Sequence, residues 1–475
     1  MKKLVSIVLA LVMILMVAAA SAATITINRH SSWNDPDVDP EALNASYTWH
    51  RIFDADLTDS NHPIYTISGD DAADKVAALD DTIFDAKLAS DDKYYITLKS
   101  GVQDDDVFEA LAAMVAANAT LFPGTTVTSN ADPVVLDVGN PGYFYIEASN
   151  GKNVAVKTAG SATVDEKNDY PTIDKKQKKA NGTYADTALP QEIGSYIDYQ
   201  VTVSVPADAT KQIAVVDTMS AGLEYDSTTG LTVKYGTTDV TYAELTSEDA
   251  GYLATGAAWQ IKFAADTVVA HRGHDIVITY RAKVTEAALS DTGKENEVTL
   301  NYDNGNYILK DDTDYENYFA GIYKVDPNNS SADMSGVKFE LTSGDTAVNV
   351  TYDSTNGYYV VDPTSSSNEV ETRADGSNYT IKIRGLDGDK TYTLTETETK
   401  AGYNLLNTPV DLTLTKDEGT AFADKVANTY DRVENNQGAT LPSTGGIGTT
   451  IFYILGGLLV VGAAVILVAR RKAHD

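Results

Sequence analysis

The sequence contains no cysteine, so whatever stabilises it, disulfides do not. Histidine is scarce, at six residues, and no Ser-His-Asp arrangement rises above chance. His271 and His274 stand three apart but lack the acid partner of a zinc motif. Asp35, Asp37 and Asp39 alternate like the start of a calcium loop, without the later Gly and Glu of an EF-hand. No glycine-rich turn forms a phosphate cradle. Basic residues are few: 36 Lys and Arg against 68 Asp and Glu, for a formal net charge of -32. That balance excludes nucleic-acid binding through phosphate contacts and favours repulsion from other acidic surfaces. The sequence thus predicts no metal, no cofactor and no enzyme acting on an outside substrate.

The two ends are informative. Met1-Lys2-Lys3, an apolar run from Leu4 to Ala19 and Ala20-Ser21-Ala22 make a charged start, a short hydrophobic stretch and an A-x-A exit. This is the pattern of a secretory signal peptide over 1–22. At the other end, Leu441-Pro442-Ser443-Thr444-Gly445 precedes an apolar segment, roughly 447–469, long enough to span a bilayer. Arg470-Arg471-Lys472 closes it and holds that end in the cytoplasm. Pro442 fixes its own φ and disfavours helix for its neighbour, so the pentapeptide is presented kinked and non-helical. These residues resemble the LPxTG sorting signal of sortase substrates. The resemblance implies cleavage between Thr444 and Gly445 and transfer of Thr444 to an amine.

About 420 residues remain between the processed ends, enough for two to four domains. Thr, Val and Tyr are abundant and short alternating runs recur, which predicts β-rich domains. The first region, 23–164, is mixed α+β. Ser46 to Phe53, Tyr143 to Ile146 and Val154 to Val156 read as strands. Ala72 to Leu88 and Val107 to Ala117 carry apolar residues at helical spacing, with Asp104-Asp105-Asp106 placed to cap the second. The second region, 165–315, is strand after strand, including Tyr196 to Val205, Ala214 to Thr218, Asp275 to Tyr280 and Glu297 to Tyr302. It predicts an immunoglobulin-like sandwich. The third, 316–433, repeats the style in a smaller unit, followed by a polar spacer, 434–440, and the 441–475 tail.

Strand phase exposes a conflict. Residues i and i+2 of a strand face the same way. Lys324 therefore shares a face with Ile322, Glu396 with Leu394 and Tyr392, and Asn428 with Val426. In the second region Lys175 is in phase with Ile173, Asp217 with Val215, and Asn296 with Val298, Leu300 and Tyr302. If the apolar members face the core, so do the charges, and buried unpaired charge costs several kcal/mol. Chemistry resolves this. Desolvation lowers a lysine pKa and raises that of an acid. A neutral amine is a nucleophile, and a protonated carboxyl can polarise an amide and relay protons. The amine attacks the Asn carbonyl, ammonia leaves, and an isopeptide bond joins the first and last strands. The sequence thus predicts crosslinks Lys175–Asn296, promoted by Asp217, and Lys324–Asn428, promoted by Glu396.

The same residues carry a family resemblance. Tyr392-Thr393-Leu394-Thr395-Glu396-Thr397 with Ala401-Gly402-Tyr403 resembles the E-box of Gram-positive pilins. Gly321 to Asp326 and Val426 to Thr429 resemble the flanking strands of the prealbumin-like pilin domain. Pro171 to Lys176, with Asp217 to Leu223, resembles the fimbrial isopeptide-forming middle domain. The chain is similar to LPxTG-anchored backbone pilins of the SpaA type. The resemblance implies tandem CNA-like and prealbumin-like β-sandwiches behind the mixed N-terminal domain, in the shaft of a covalent pilus that supports adhesion. It also implies partners: a pilus-specific class C sortase, a housekeeping sortase, identical subunits, accessory pilins, peptidoglycan and a host ligand. In the family a lysine of a Val-Tyr-Pro-Lys-Asn motif accepts the Thr of the next subunit. Val164-Asp165-Glu166-Lys167-Asn168 occupies that place, with Asp165-Glu166 where the family has Tyr-Pro. Lys167 is the candidate acceptor; Lys176, Lys178 and Lys179 are its neighbours and rivals. The alternative reading is an accessory pilin or a monomeric wall-anchored adhesin.

Overall fold

The computed structural model describes residues 23–30, 37–38, 45–57, 63–89, 92–149, 152–167, 169–418, 430–438 and 448–472. The molecule is mainly β, as the alternation predicts. In the first region the strand Ala45–Asp56 is the spine of a seven-stranded sheet, paired with Gly142–Ala148, Gly124–Ser129 and Ile64–Ile67. A smaller sheet sets Ala23–Asn28 between Val134–Gly139 and Ala162–Asp165. The helix Asp104–Ala117 buries Val107, Leu111, Met114 and Val115, which recur at helical spacing and form one stripe against the sheet. Its acidic triplet lies inside the first turn, where the Asp106 carboxylate accepts from the Gln103 backbone N–H at 3.1 Å.

The other expected helix, 72–88, is a correction. It stops at Ala77. Asp80 then accepts from both the Thr82 N–H (2.8 Å) and the Thr82 hydroxyl (2.6 Å), a local turn that competes with helix. The chain leaves as the strand Phe84–Leu88, paired with Tyr94–Leu98.

The second unit is a two-sheet sandwich. One sheet runs Tyr184–Ala185, Thr172–Lys178, Tyr196–Val205, His274–Val284, Thr232–Tyr235, Thr238–Asp239. The facing sheet runs Ala243–Glu244, Ala257–Phe263, Ile213–Met219, Glu295–Tyr302 and then the long strand Tyr307–Val325. This last strand is a structural joint. Tyr307 to Asp314 pair with Glu295–Tyr302, whereas Tyr318 to Tyr323 pair with Asn378–Leu386 of the third unit. The boundary expected at 315/316 therefore falls within a continuous strand. A buried ion pair locks the same junction. Arg384 donates from Nε to Asp417 Oδ2 at 2.7 Å and from Nη2 to Oδ1 at 2.8 Å, and also reaches the Leu289 carbonyl at 2.8 Å.

In the third unit the strand Asp431–Glu434 lies parallel to the joint strand, with Val433 opposite Lys324. Gly321 permits this closeness: a Cβ there would meet the Tyr430 ring at 2.5 Å. The opposing sheet carries Lys338–Ser343 and Thr393–Glu398, with Phe339 opposite Glu396. The expected 434–440 spacer thus begins inside the fold. Glu434 ends a strand, the Asn435 N–H donates to the Val325 carbonyl at 2.9 Å, and the Gly438 N–H to Gly402 at 2.8 Å. Beyond it, the helix Gly448–Lys472 contains a 20-residue apolar stretch, Phe452–Arg471, of mean hydropathy 2.6 and with none of it buried in the protein. At about 1.5 Å per residue such a stretch spans a ~30 Å hydrocarbon core.

Candidate crosslinking sites

Two lysines are sealed inside the two sandwiches. On the strand Thr172–Lys178, Ile173, Lys175 and Gln177 all point inward, as period-two geometry requires. The Lys175 and Asp217 side chains are fully buried, and Nζ donates to Asp217 Oδ2 at 2.6 Å. Burial pushes the Lys175 amine down and the Asp217 carboxyl up. Both shifts favour the uncharged forms, because a low-dielectric site disfavours charge more than a single contact restores it.

The acid and the amide come from neighbouring strands. Asp217 is opposite Val298 and Met219 is opposite Asn296, so Asp217 and Asn296 are diagonal neighbours on one face. Asn296 is completely buried. Its Nδ2 donates to the Tyr280 hydroxyl at 3.0 Å, and that hydroxyl in turn donates to Asp217 Oδ2. Lys175, Asp217, Tyr280 and Asn296 therefore form one contiguous polar cluster. Aromatic rings enclose it. Tyr199 stacks on Tyr280 at 5.3 Å, Trp259 meets Tyr280 edge-on at 5.1 Å, and Lys175 Nζ lies 5.4 Å from the Tyr199 centroid.

In the third unit the Lys324 and Glu396 side chains are also fully buried, 3.3 Å apart. Burial pushes the Lys324 amine down to about 8. The amide that reaches it belongs to Asn435. Lys324 Nζ donates to Asn435 Oδ1 at 2.6 Å, and Asn435 Nδ2 donates to Glu396 Oε1 at 2.8 Å and to the Thr399 hydroxyl at 2.6 Å. The amide expected beside Lys324 is that of Asn428. Asn428 lies outside the described residues, and the place beside the amine is filled by Asn435, which follows Val433 in the same strand phase and is 1% exposed.

Amine, acid and amide thus meet in each sandwich. The lysine comes from the strand that opens each unit; Asn296 lies in the strand Glu295–Tyr302 and Asn435 directly follows the strand Asp431–Glu434. Such a set can perform an uncatalysed-looking acyl transfer within one molecule, since enclosure supplies the proximity and a carboxyl supplies proton transfer.

Lys167 is exposed and lies two residues past the end of the strand Ala162–Asp165. Its carbonyl accepts from Lys152 Nζ at 2.7 Å, and Lys152 also pairs with Asp208 of the second unit at 2.6 Å. The Lys167 amine makes no ion pair among the described residues, whereas Lys176 and Lys178 pair with Asp174 and Asp198. Lys179 sits in the turn that returns at Thr183. Leu441, Pro442, Ser443, Thr444 and Gly445 lie outside the described residues. Asp37 is described, while Asp35 and Asp39 are not.

Two family models match. That of the LPXTG cell wall anchor motif covers residues 433–475, and that of the prealbumin-like fold domain covers residues 319–428. The second match ends before Asn435. No curated protein matches the chain. Similar solved structures include the full-length major pilin SpaD from Corynebacterium diphtheriae, 16% identical over 89% of this chain and 99% of that one, TM-score 0.43. The major pilin SpaA of the same organism is 14% identical over 87% and 100%, TM-score 0.44. RrgB from Streptococcus pneumoniae is 12% identical over 90% and 100%, TM-score 0.40. The chain is therefore a cell wall-anchored surface protein, its precursor tethered by the C-terminal apolar helix, and it carries a prealbumin-like fold domain ahead of an LPXTG anchor motif.

Proposed function

We propose that this chain is the shaft subunit of a sortase-assembled covalent pilus, hardened by two self-formed Lys–Asn isopeptide bonds. The observation that carries the reading is the pair of sealed amine–acid–amide clusters in sandwiches joined end to end by one strand, ahead of a wall-anchor motif. The neutral amine attacks the asparagine Cγ, a tetrahedral adduct forms, the Cγ–Nδ2 bond breaks and ammonia departs. The net change is one new amide and one free ammonia, with one proton moved from the amine to the leaving nitrogen. Bonds Lys175–Asn296 and Lys324–Asn435, promoted by Asp217 and Glu396, then carry tension covalently across each sandwich. That suits a fibre under load built from a chain without cysteine.

Polymerisation uses the two ends of the extended array. A pilus-specific class C sortase cleaves after Thr444 and passes it to Lys167 of an identical subunit; a housekeeping sortase joins the finished fibre to peptidoglycan. Accessory pilins and a host ligand complete the partner set. The exposed amine of Lys167, without an ion pair among the described residues and held beside a pinned carbonyl at the seam between the first two units, supports it as acceptor. The test is a Lys167→Ala strain. Wall extracts of the parent give a ladder of SDS-resistant high-mass species, and the variant gives a single wall-released band. A ladder in the variant overturns Lys167 as acceptor, and a single band in the parent favours a monomeric adhesin.

A further inference from the structure

The two clusters are wired differently. In the third unit the acid touches the amide directly, Asn435 Nδ2 to Glu396 Oε1 at 2.8 Å. In the second unit the contact that links acid to amide runs through a phenol. The Tyr280 hydroxyl accepts from Asn296 Nδ2 at 3.0 Å and is bonded to Asp217 Oδ2, the same oxygen that holds Lys175 Nζ at 2.6 Å. Four polar atoms thus form a chain from the nucleophile to the leaving group: Nζ, Oδ2, Oη, Nδ2. Register produces it. Tyr280 is opposite Tyr199 in the lysine-bearing sheet, and the Tyr199 ring stacked on it and the Trp259 edge against it fix the plane of the phenol.

We propose that Tyr280 is a catalytic residue of the second unit, the proton relay that lets Asp217 serve a leaving group it does not itself touch. The inference rests on the crosslinking reading above. When Nζ adds to Cγ, the nitrogen carries a surplus proton. The Tyr280 O–H is delivered to Nδ2 as the Asp217 carboxyl hands its proton to Tyr280 Oη, and the carboxylate so formed takes the surplus proton from Nζ. Nδ2 then departs as ammonia as the carbonyl re-forms. One proton has crossed from amine to leaving group, and both Asp217 and Tyr280 end in the protonation states they began with. A phenol suits this step because its hydroxyl both donates and accepts, and a short hydrogen-bonded chain in a dry site passes protons without solvent.

The experiment uses the full chain, made in a cell-free system, quenched in denaturant at intervals and analysed by mass spectrometry for the peptide pairs joining Lys175 to Asn296 and Lys324 to Asn435. In the wild-type chain both pairs form. In Tyr280→Phe, which keeps the ring and removes the hydroxyl, the second-unit bond closes about 10²-fold or more slowly, the usual scale of a lost general acid–base, while the third-unit bond closes at the wild-type rate. Equal closure of both bonds in Tyr280→Phe overturns the relay. A fluorinated tyrosine at 280 guards against misfolding: its more acidic phenol, of nearly unchanged shape, speeds closure of the second-unit bond alone, and an unchanged rate overturns the relay. If the wild-type chain forms neither bond, the crosslinking reading itself fails.

Discussion

Replacing Asn435 by alanine tests the third-unit site most sharply. The amide makes three contacts: Lys324 Nζ at 2.6 Å, Glu396 Oε1 at 2.8 Å and the Thr399 hydroxyl at 2.6 Å. Its removal prevents the bond. Closing a loop of roughly 100 residues stabilises by about 4.7 kcal/mol on the chain-entropy account worked out for disulfides. The substitution also leaves Lys324 and Glu396 buried with fewer partners, at about 1–3 kcal/mol for a group left unsatisfied. The expected loss is roughly 6 kcal/mol, or on the order of 25 °C in the melting of a domain of this size. Calorimetry of the ectodomain reads it as one transition moved down while the others stay in place. Intact mass then falls short of the variant's own sequence mass by one ammonia, where the wild type falls short by two. An Asn435→Ala protein that melts like wild type and still lacks two ammonia equivalents refutes the reasoning, most directly if Asn428→Ala shows the loss instead.

The amine of Lys324, pushed down to about 8 by burial, sets a pH dependence. The nucleophile is the neutral form, which predominates above that value and falls tenfold per unit below it. Closure of the Lys324–Asn435 bond in freshly synthesised chain should therefore be about tenfold slower at pH 7 than on the plateau above pH 9, and a flat or falling profile contradicts this. Arg384→Ala removes the guanidinium from the buried Asp417 carboxylate and should cost about 3–5 kcal/mol without changing the two-ammonia deficit in the mass. A stability change under 1 kcal/mol in denaturant titration would remove the ion pair from the account of the junction.

Much of this was legible because strands advertise their two faces. Lys175 is in phase with Ile173 and Lys324 with Ile322, and all four side chains are inside. The acids followed from the same alternation. In the third unit Val426-Ala427-Asn428 and Val433-Glu434-Asn435 have the same valine–asparagine phase, so alternation alone does not choose between them. Only the parallel pairing of Val433 with Lys324 tells them apart, and such long-range register leaves no local trace. Tyr280 hid for a related reason. In sequence it is one aromatic of an alternating strand, and its meeting with Asp217 and Asn296 depends on how two sheets face each other. The helix expected at 72–88 failed to a local signal that was present, the Asp80–Thr82 turn, which outweighed helical spacing. The first region carried no pairing signal of its own, so its architecture came only from the fold.

The central claim is that the buried lysines fuse with their asparagines unaided. Its most direct measurement is the intact mass of the secreted ectodomain, followed by sequencing of the branched peptides. The account predicts a mass short by two ammonia molecules, with branches joining Lys175 to Asn296 and Lys324 to Asn435. A mass equal to that of the unmodified chain would contradict it.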